Sequence, residues 1–285
     1  MTHGIEQSRV GPVRALVGKY PTTTFLLFTF LITWAVWVPN VLAPESLAGT
    51  LAWFWTYGPA AAAVIVAAIA GSLRELSARL VRWRVGWRWY AVVLLGPAAF
   101  YAAVAALHAG FGWTGKLAQP DVLRVSLASL VPLFLLFALT DGLGEEPGWR
   151  GFALPRLLER TSRLNASLLI GVVWAVYHLP LFWTVGRPLY GQPFLILLVE
   201  LPAMSVLYTW VFQHTAGSAL LAILFHASGS AWWSVFVATV SAAEADSLRS
   251  ILIVVLLKWL LAAAVAVSWL RQVPAGNRRR LARAP

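Results

Sequence analysis

The sequence predicts an all-α fold, a polytopic membrane bundle of about eight transmembrane helices with both termini in the cytoplasm. Hydrophobic residues make up 60% of the 285 residues, and charged residues only 12%. A soluble domain, by contrast, has charged side chains at about a quarter of its positions. The mean hydropathy is +0.74, and long apolar stretches recur along the chain. These observations together indicate a multi-pass membrane protein.

Eight apolar stretches reach the length of about 18 to 22 residues that a helix needs to cross a bilayer. They lie at residues 22–43, 50–70, 89–109, 123–144, 166–185, 193–212, 217–240 and 250–270. We expect residues 1–21 to form a cytoplasmic segment, residues 22–271 the transmembrane bundle, and residues 272–285 a basic cytoplasmic tail. No small-residue cleavage site follows the first stretch, which therefore should remain as a membrane anchor.

The basic residues predict the orientation of the bundle. Most of them lie in three clusters, at residues 74–88, 150–163 and 271–283, and the formal net charge is +11. All three clusters fall on one side of an eight-helix arrangement, and an excess of Lys and Arg marks the cytoplasmic side. Anionic membrane lipid is the expected partner of these charges, and nucleic acid is not. The absence of cysteine excludes disulfides and thiolate chemistry.

The most informative stretch is residues 141–156, DGLGEEPGWRGFALPR, where an acid pair ends an apolar run. Charged groups at membrane depth cost on the order of 2.5 to 3.5 kcal/mol, so they usually face a protein interior and mark a working site. Residues four apart share a helix face, so Glu146 is expected to pair with Arg150. Glu145 should then point elsewhere, toward the side of Trp149, and the two acids should have different roles.

Pro147 and Gly148 follow the acid pair directly. Proline removes a backbone donor and clashes with the preceding turn, and glycine adds backbone freedom, so the helix should kink or restart here. Irregular backbone at membrane depth survives only where protein or a water-filled cavity covers it. The alternative is that this stretch is simply the cytoplasmic end of the fourth helix, with solvated glutamates.

Two histidines lie within other apolar stretches, His178 late in the fifth and His226 in the middle of the seventh. A lone histidine in an apolar helix is usually a packing residue. Two of them accompanied by an acid pair instead favour a shared polar cavity inside the bilayer. His3, His108 and His214 have no such company, and we expect them to be structural or interfacial.

Glu200 and Lys258 are also charged residues within apolar stretches. They would either pair across two helices, or Lys258 would extend its ammonium toward the interface. Transport of a small solute through such a pair is one alternative function. A transporter built from repeated halves should show broken helices in corresponding places, and no such pairing is evident.

A carboxylate beside an imidazole in a cavity that excludes bulk water can polarise a water molecule for attack on a peptide carbonyl. Glu145, His178 and His226 also match the ligand set of a zinc hydrolase, which leaves a fourth position for water. No cofactor is certain from the residues, and zinc is the one that this set admits. The HExxH motif, the GxSG serine motif and paired aspartates are all absent, so those protease classes are excluded.

The stretch EEPGWRGFALPRLL resembles the E-E-x-x-x-R signature of the CPBP family, the CAAX prenyl protease and bacteriocin-processing group of intramembrane proteases, which includes abortive-infection-like members. Trp174 followed four residues later by His178 is similar to the second motif of that family. His226 followed four residues later by Ser230 is similar to its third motif. All three motifs occur in the expected order within residues 141–233.

The resemblance implies that Glu145 activates the water, that His178 helps to hold it, and that His226 and the residue at 230 stabilise the oxyanion. Glu146 and Arg150 would orient the site. In the metal-dependent version of this mechanism, Glu145, His178 and His226 would instead bind zinc. Ser230 is a departure, because asparagine is usual there and a serine hydroxyl has a shorter reach.

We therefore expect an intramembrane endopeptidase of the glutamate or metallo type that cleaves a peptide or lipid-modified protein near the cytoplasmic face of the cell membrane. The alternative is a non-catalytic membrane protein of the same fold that acts as a scaffold or immunity protein.

Overall fold

The computed structural model describes residues 11–43, 56–111, 120–240 and 244–272. Every regular element in these ranges is helical, which confirms the predicted helical bundle. The principal helices are α1 (Pro12–Lys19), α2 (Pro21–Leu42), α3 (Gly58–Ala70), α4 (Leu73–Leu80), α5 (Trp87–Gly110), α6 (Pro120–Ala128), α7 (Leu130–Phe137), α8 (Leu143–Glu146), α9 (Leu154–Leu158), α10 (Arg163–Tyr177), α11 (Phe194–His214), α12 (Ala219–Val240) and α13 (Glu244–Arg271).

Five helices in the described residues are long and apolar enough to cross a membrane: α2, α5, α11, α12 and most of α13. Two shorter apolar helices, α3 and α10, lie in the second and fifth predicted spans. The fourth predicted span is divided among several short elements. The chain is thus a multi-pass membrane protein. The cytoplasmic location of the termini stays a prediction, and residues 1–10 and 273–285 lie outside the described ranges.

Helices α10 and α11 pack closely where Gly171 faces Pro202. A Cβ atom added at Gly171 would lie 2.3 Å from the Cα atom of Pro202. Small residues permit this kind of backbone approach between membrane helices. Ser167 on α10 also donates a hydrogen bond to Thr209 on α11 over 2.8 Å, so the two helices are joined by close packing and by a buried hydrogen bond.

From α7 to α9 the chain is a helix interrupted twice by π-helical turns, Ala138–Gly142 at the end of the fourth predicted span and Pro147–Ala153 just beyond it. The interruption expected at Pro147 is therefore present, because the second π-helical segment begins at that residue. Wide turns of this kind occur frequently at functional sites. Trp149, Arg150 and Phe152 in the second segment are completely buried, so protein covers the irregular backbone, as a membrane interior requires.

Glycines let the interrupted helix lie directly against α3 and the residues just before it. A Cβ atom added at Gly148 would lie 2.7 Å from both the carbonyl oxygen and the Cβ atom of Pro59, and one at Gly144 would lie 2.7 Å from the carbonyl oxygen of Thr56. Phe25 of α2 packs edge-on against Trp149, with the ring centroids 5.7 Å apart. The hydrophobic core of the molecule therefore surrounds the segment that carries the acid pair.

The close contact at Gly148 makes a testable prediction. Substitution Gly148→Ala should destabilise the protein by about 1 to 3 kcal/mol, because backbone atoms of Pro59 cannot move aside as a flexible side chain would. Gly96 is the matched control, since an added Cβ there meets nothing within 4 Å and alanine is favoured over glycine in a helix. Thermal unfolding in detergent should show a lower midpoint for Gly148→Ala only; equal midpoints would contradict the packing argument.

Candidate active site

The acid pair and its arginine are buried in the core of the bundle. Glu145 is 2% exposed, and Glu146 and Arg150 are 0% exposed. Arg150 Nη1 donates to both carboxylate oxygens of Glu146, over 3.0 and 3.1 Å. This is the pairing expected from their spacing of four residues. The alternative of a solvated helix end does not apply to these three side chains.

The carboxylate of Glu145 is held through one of its two oxygens. Its Oε2 atom accepts hydrogen bonds from the indole nitrogens of Trp149, over 3.2 Å, and Trp174, over 2.5 Å. Its Oε1 atom lies 3.8 Å from Nε2 of His178. Two rigid indoles thus fix the carboxylate while the second oxygen faces an imidazole. Glu145 lies on the side of Trp149, as its position in the helix indicated.

His178 caps the C-terminal end of α10 and is held by the last turn of that helix. Its Nδ1 atom lies 2.8 Å from the carbonyl oxygen of Trp174. A carbonyl oxygen only accepts hydrogen bonds, so Nδ1 must carry the proton of this contact. In the neutral imidazole, Nε2 is then an acceptor that faces Glu145.

His226 on α12 is held by the other acid of the pair. Its Nδ1 atom lies 2.9 Å from Oε1 of Glu146, the oxygen that also accepts from Arg150. The ring of Trp174 packs edge-on against the imidazole, with the centroids 5.6 Å apart. Glu146 therefore connects α12 to the interrupted helix, although His226 is 80 residues away in sequence.

Arg150 completes the buried network by stacking. Its guanidinium carbon lies 4.0 Å from the ring centroid of Tyr208 and 4.6 Å from that of Trp174. Nε and Nη2 of Arg150 have no hydrogen-bond partner in the described residues. Cation–π attraction to the two ring faces compensates part of that cost.

A cavity of about 570 Å³ opens on one side of this network. Glu145, His178, His226 and Ser230 lie on its wall, so the structure brings four of the six predicted site residues to one surface. Glu146 and Arg150 lie behind that wall and contact His226 and Trp174 instead. The side chains of Glu200 and Lys258 form an ion pair on the cavity wall, which is one of the two arrangements expected for them.

The remaining histidines of the described chain have structural contacts. Nε2 of His108 lies 2.8 Å from the hydroxyl oxygen of Ser250, which joins α5 to α13. Nδ1 of His214 lies 2.8 Å from the carbonyl oxygen of Trp210. His3 lies outside the described residues.

Three functional features of the site were not assigned from the sequence. Trp174 and Trp149 donate hydrogen bonds to Glu145. The sequence indicated a contact only for Trp149, which follows Glu145 by four residues. Tyr208 covers Arg150 from α11 and had no motif to identify it. Asp141 also lies on the cavity wall, within the stretch singled out but without an assigned role.

Zinc binding by Glu145, His178 and His226 stays a prediction. In the described ranges, no group of three or more His, Asp or Glu side chains lies close enough to bind one ion as the side chains stand. The hydrogen bonds to Oε2 of Glu145 and to Nδ1 of both histidines leave Oε1 of Glu145 and the two Nε2 atoms as the atoms that could bind a metal. If zinc were bound, these three residues would hold it, and it would supply an acidified water.

The second π-helical segment is also held from outside the site. Arg156 donates to the carbonyl oxygen of Phe152 and to the hydroxyl of Ser72, over 2.9 Å in each case. Partial burial and the nearby guanidinium of Arg79 lower the pKa of Arg156 from its ordinary value. Arg79 itself donates to the carbonyl oxygen of Gly151 over 3.3 Å. The backbone after Arg150 is thus fixed by groups from the region of α4.

Comparison with known proteins identifies relatives of this part of the chain. Residues 127–232 match the family model described as type II CAAX prenyl endopeptidase, Rce1-like. Over 102 residues the chain is also 32% identical to CAAX prenyl protease 2 of Methanococcus maripaludis. That alignment covers 34% of this chain and 37% of the relative, so the chain spans little more than a third of the length of that relative.

Proposed function

We propose that the protein is an intramembrane endopeptidase, from the premise that residues 127–232 match the family model of the Rce1-like type II CAAX prenyl endopeptidases. It hydrolyses a peptide bond near the cytoplasmic face of the membrane with a water molecule activated by Glu145. The supporting observation is the distance of 3.8 Å between Oε1 of Glu145 and Nε2 of His178.

That distance suits a bridging water. A gap of 3.8 Å is too long for a direct hydrogen bond, and both atoms are acceptors when the glutamate is ionised and the imidazole is neutral. A water molecule has two protons and can donate to both. The lone pairs of its oxygen would then be free to attack a carbonyl carbon in the cavity.

The hydrolysis follows from this placement. The water oxygen bonds to the carbonyl carbon of the scissile peptide while its proton passes to Glu145. The carbon–nitrogen bond of the tetrahedral intermediate then breaks, and Glu145 returns the proton to the leaving amine nitrogen. One carboxylate acts as base and then as acid, so no other proton donor is needed.

The oxyanion of the intermediate would be stabilised by His226, with Ser230 beside it on α12. This role requires a proton on Nε2 as well as on Nδ1, so His226 would act as the imidazolium. The carboxylates of Glu145 and Glu146 together would balance its charge and that of Arg150. Removal of one such donor typically costs about 100-fold to 1,000-fold in rate. A serine in place of the asparagine usual at position 230 reaches less far and predicts a slower enzyme.

We propose Glu146 and Arg150 as positioning residues. They contact neither the water nor the peptide, but Glu146 fixes the ring of His226, and Arg150 fixes Glu146. The substrate is a peptide or lipid-modified protein of the cell membrane, since the cavity walls between the polar groups are mostly aromatic and aliphatic side chains such as Trp37, Phe182 and Met204.

The proposal is tested with purified protein in proteoliposomes, incubated with the membrane peptides of cells that lack it. Mass spectrometry should identify peptides that the protein shortens and the bond that it breaks. The metal content of the purified protein is measured, and the cleavage rate is compared with and without a chelator. These measurements test whether Glu145 or a bound metal activates the water. Loss of activity on chelation, with recovery on adding zinc, would replace that role with a metal-bound water.

A further inference from the structure

A strongly basic surface connects α3 to α5. Residues 72–88 contain five arginines and one glutamate, a net charge of +4 within 17 residues. Leu76 of α4 is buried with 3% exposure, and it faces the second π-helical segment. Arg74 on the same helix is exposed. Helix α4 thus has an apolar face that packs on the second π-helical segment and a basic face that is exposed.

Two exposed tryptophans lie on the same surface. Trp83 is 60% exposed and Trp87 is 73% exposed. The guanidinium carbons of Arg84 and Arg88 lie 5.2 and 5.9 Å from the centroids of these rings. An indole in this setting suits the boundary between lipid and water, and α5 enters the membrane at Trp87. An arginine over its face places a charge at headgroup level.

This surface is joined to the active site by direct contacts. A Cβ atom added at Gly151 would lie 2.9 Å from Cδ1 of Leu76, and Arg79 donates to the carbonyl oxygen of Gly151. Gly151 directly follows Arg150. The basic surface segment therefore contacts the backbone immediately after the buried Arg150.

A second set of contacts reaches the helix that carries His226. Arg82 donates to the carbonyl oxygen of Ala216 over 2.6 Å, and Ser218 donates back to the carbonyl oxygen of Arg82 over 2.7 Å. Helix α12 begins at Ala219, immediately after these residues. The segment of residues 72–88 thus contacts both the interrupted helix, which carries Glu146, and the start of α12, which carries His226.

We propose that residues 72–88 form a binding surface for anionic phospholipid headgroups, whose occupation holds the active site in its working geometry. Arg79 and Arg82 bond to backbone carbonyls, whereas Arg74, Arg84 and Arg88 present their charge outward. Phosphate groups in the bilayer plane balance this charge, and the two indoles favour a lipid surface over free phosphate. The effect on activity rests on the proposed endopeptidase function; the binding of lipid does not.

The test compares nanodiscs of phosphatidylcholine alone with nanodiscs that also contain phosphatidylglycerol. Bound phosphatidylglycerol is counted by native mass spectrometry, and peptide cleavage is measured in parallel. Each arginine near an anionic surface contributes on the order of fivefold in binding. The double variant Arg84→Gln/Arg88→Gln should therefore bind phosphatidylglycerol about 25-fold more weakly and lose the increase in cleavage rate that this lipid gives the parent.

The matched control is Arg124→Gln/Arg249→Gln, which removes the same charge from two exposed positions outside the three basic clusters. It should keep both lipid binding and the increase in rate. Inorganic phosphate added to phosphatidylcholine nanodiscs should not reproduce the increase. Equal loss in both double variants, unchanged lipid binding in Arg84→Gln/Arg88→Gln, or full activation by phosphate would overturn the proposal. Absence of cleavage in the parent would contradict the endopeptidase function instead, while the bound-lipid count would still decide on the surface.

Discussion

The substitution Glu145→Gln is expected to lower kcat by about 100-fold to 10,000-fold, the range that a general base contributes. Glutamine has the same shape, and its amide oxygen can still accept hydrogen bonds from the indoles of Trp149 and Trp174. It cannot take a proton from water at neutral pH. The loss should therefore appear in kcat, with little change in KM or in thermal stability, in a cleavage assay with a fluorogenic peptide in proteoliposomes.

Glu159→Gln is the matched control for this prediction. Glu159 lies in the same part of the chain but is exposed beyond the end of α9, so its substitution should leave kcat unchanged. If Glu145→Gln cleaves the peptide as fast as the parent, the catalytic role of Glu145 is wrong. A chain that retains its biological effect without that carboxylate would then support the scaffold or immunity function.

The sequence was sufficient to predict those parts of the molecule that depend on local spacing. Apolar length predicted the membrane helices, and the interval of four residues predicted the pairing of Glu146 with Arg150. Pro147 indicated the interruption of the helix. These features depend only on helix periodicity and on the cost of charge in lipid, so neighbouring residues carry all the necessary information.

Contacts between distant helices were not predictable in the same way. The bond from Trp174 to Glu145 spans 29 residues, and the contact between Glu146 and His226 spans 80. Their formation depends on two π-helical turns, which change the direction of each following side chain by widening the helix. No residue pattern specified those turns on both sides of α8. The roles of Tyr208 and Trp174 as partners of buried charges could therefore emerge only from packing.

Glu146 has a different function from Glu145 because of what surrounds it. Its carboxylate accepts hydrogen bonds from Arg150 and His226 at once, and its side chain has no contact with the cavity surface. A buried ion pair contributes little net stability compared with an apolar pair of equal volume, yet removal of one partner leaves an uncompensated charge. The pair therefore specifies the geometry of the site more than it stabilises the fold.

The substitution Glu146→Gln should accordingly destabilise the protein by about 3 to 5 kcal/mol, the cost of breaking a buried pair. The matched control is Glu75→Gln, because Glu75 and Arg79 have the same spacing of four residues but a separation of 3.9 Å, with the Glu75 side chain 65% exposed. That exposed pair should contribute only about 0 to 1 kcal/mol. Thermal unfolding midpoints in detergent measure both effects.

A third variant distinguishes the effect of an uncompensated charge on stability from the effect of lost side-chain packing. Glu146→Leu/Arg150→Met removes both charges and keeps apolar volume, so it should be more stable than Glu146→Gln. It should nevertheless be inactive, because nothing then fixes the imidazole of His226 at the cavity. Equal stability of Glu146→Gln and Glu75→Gln would show that the guanidinium of Arg150 reaches solvent or another acid, and the positioning role of this pair would be lost.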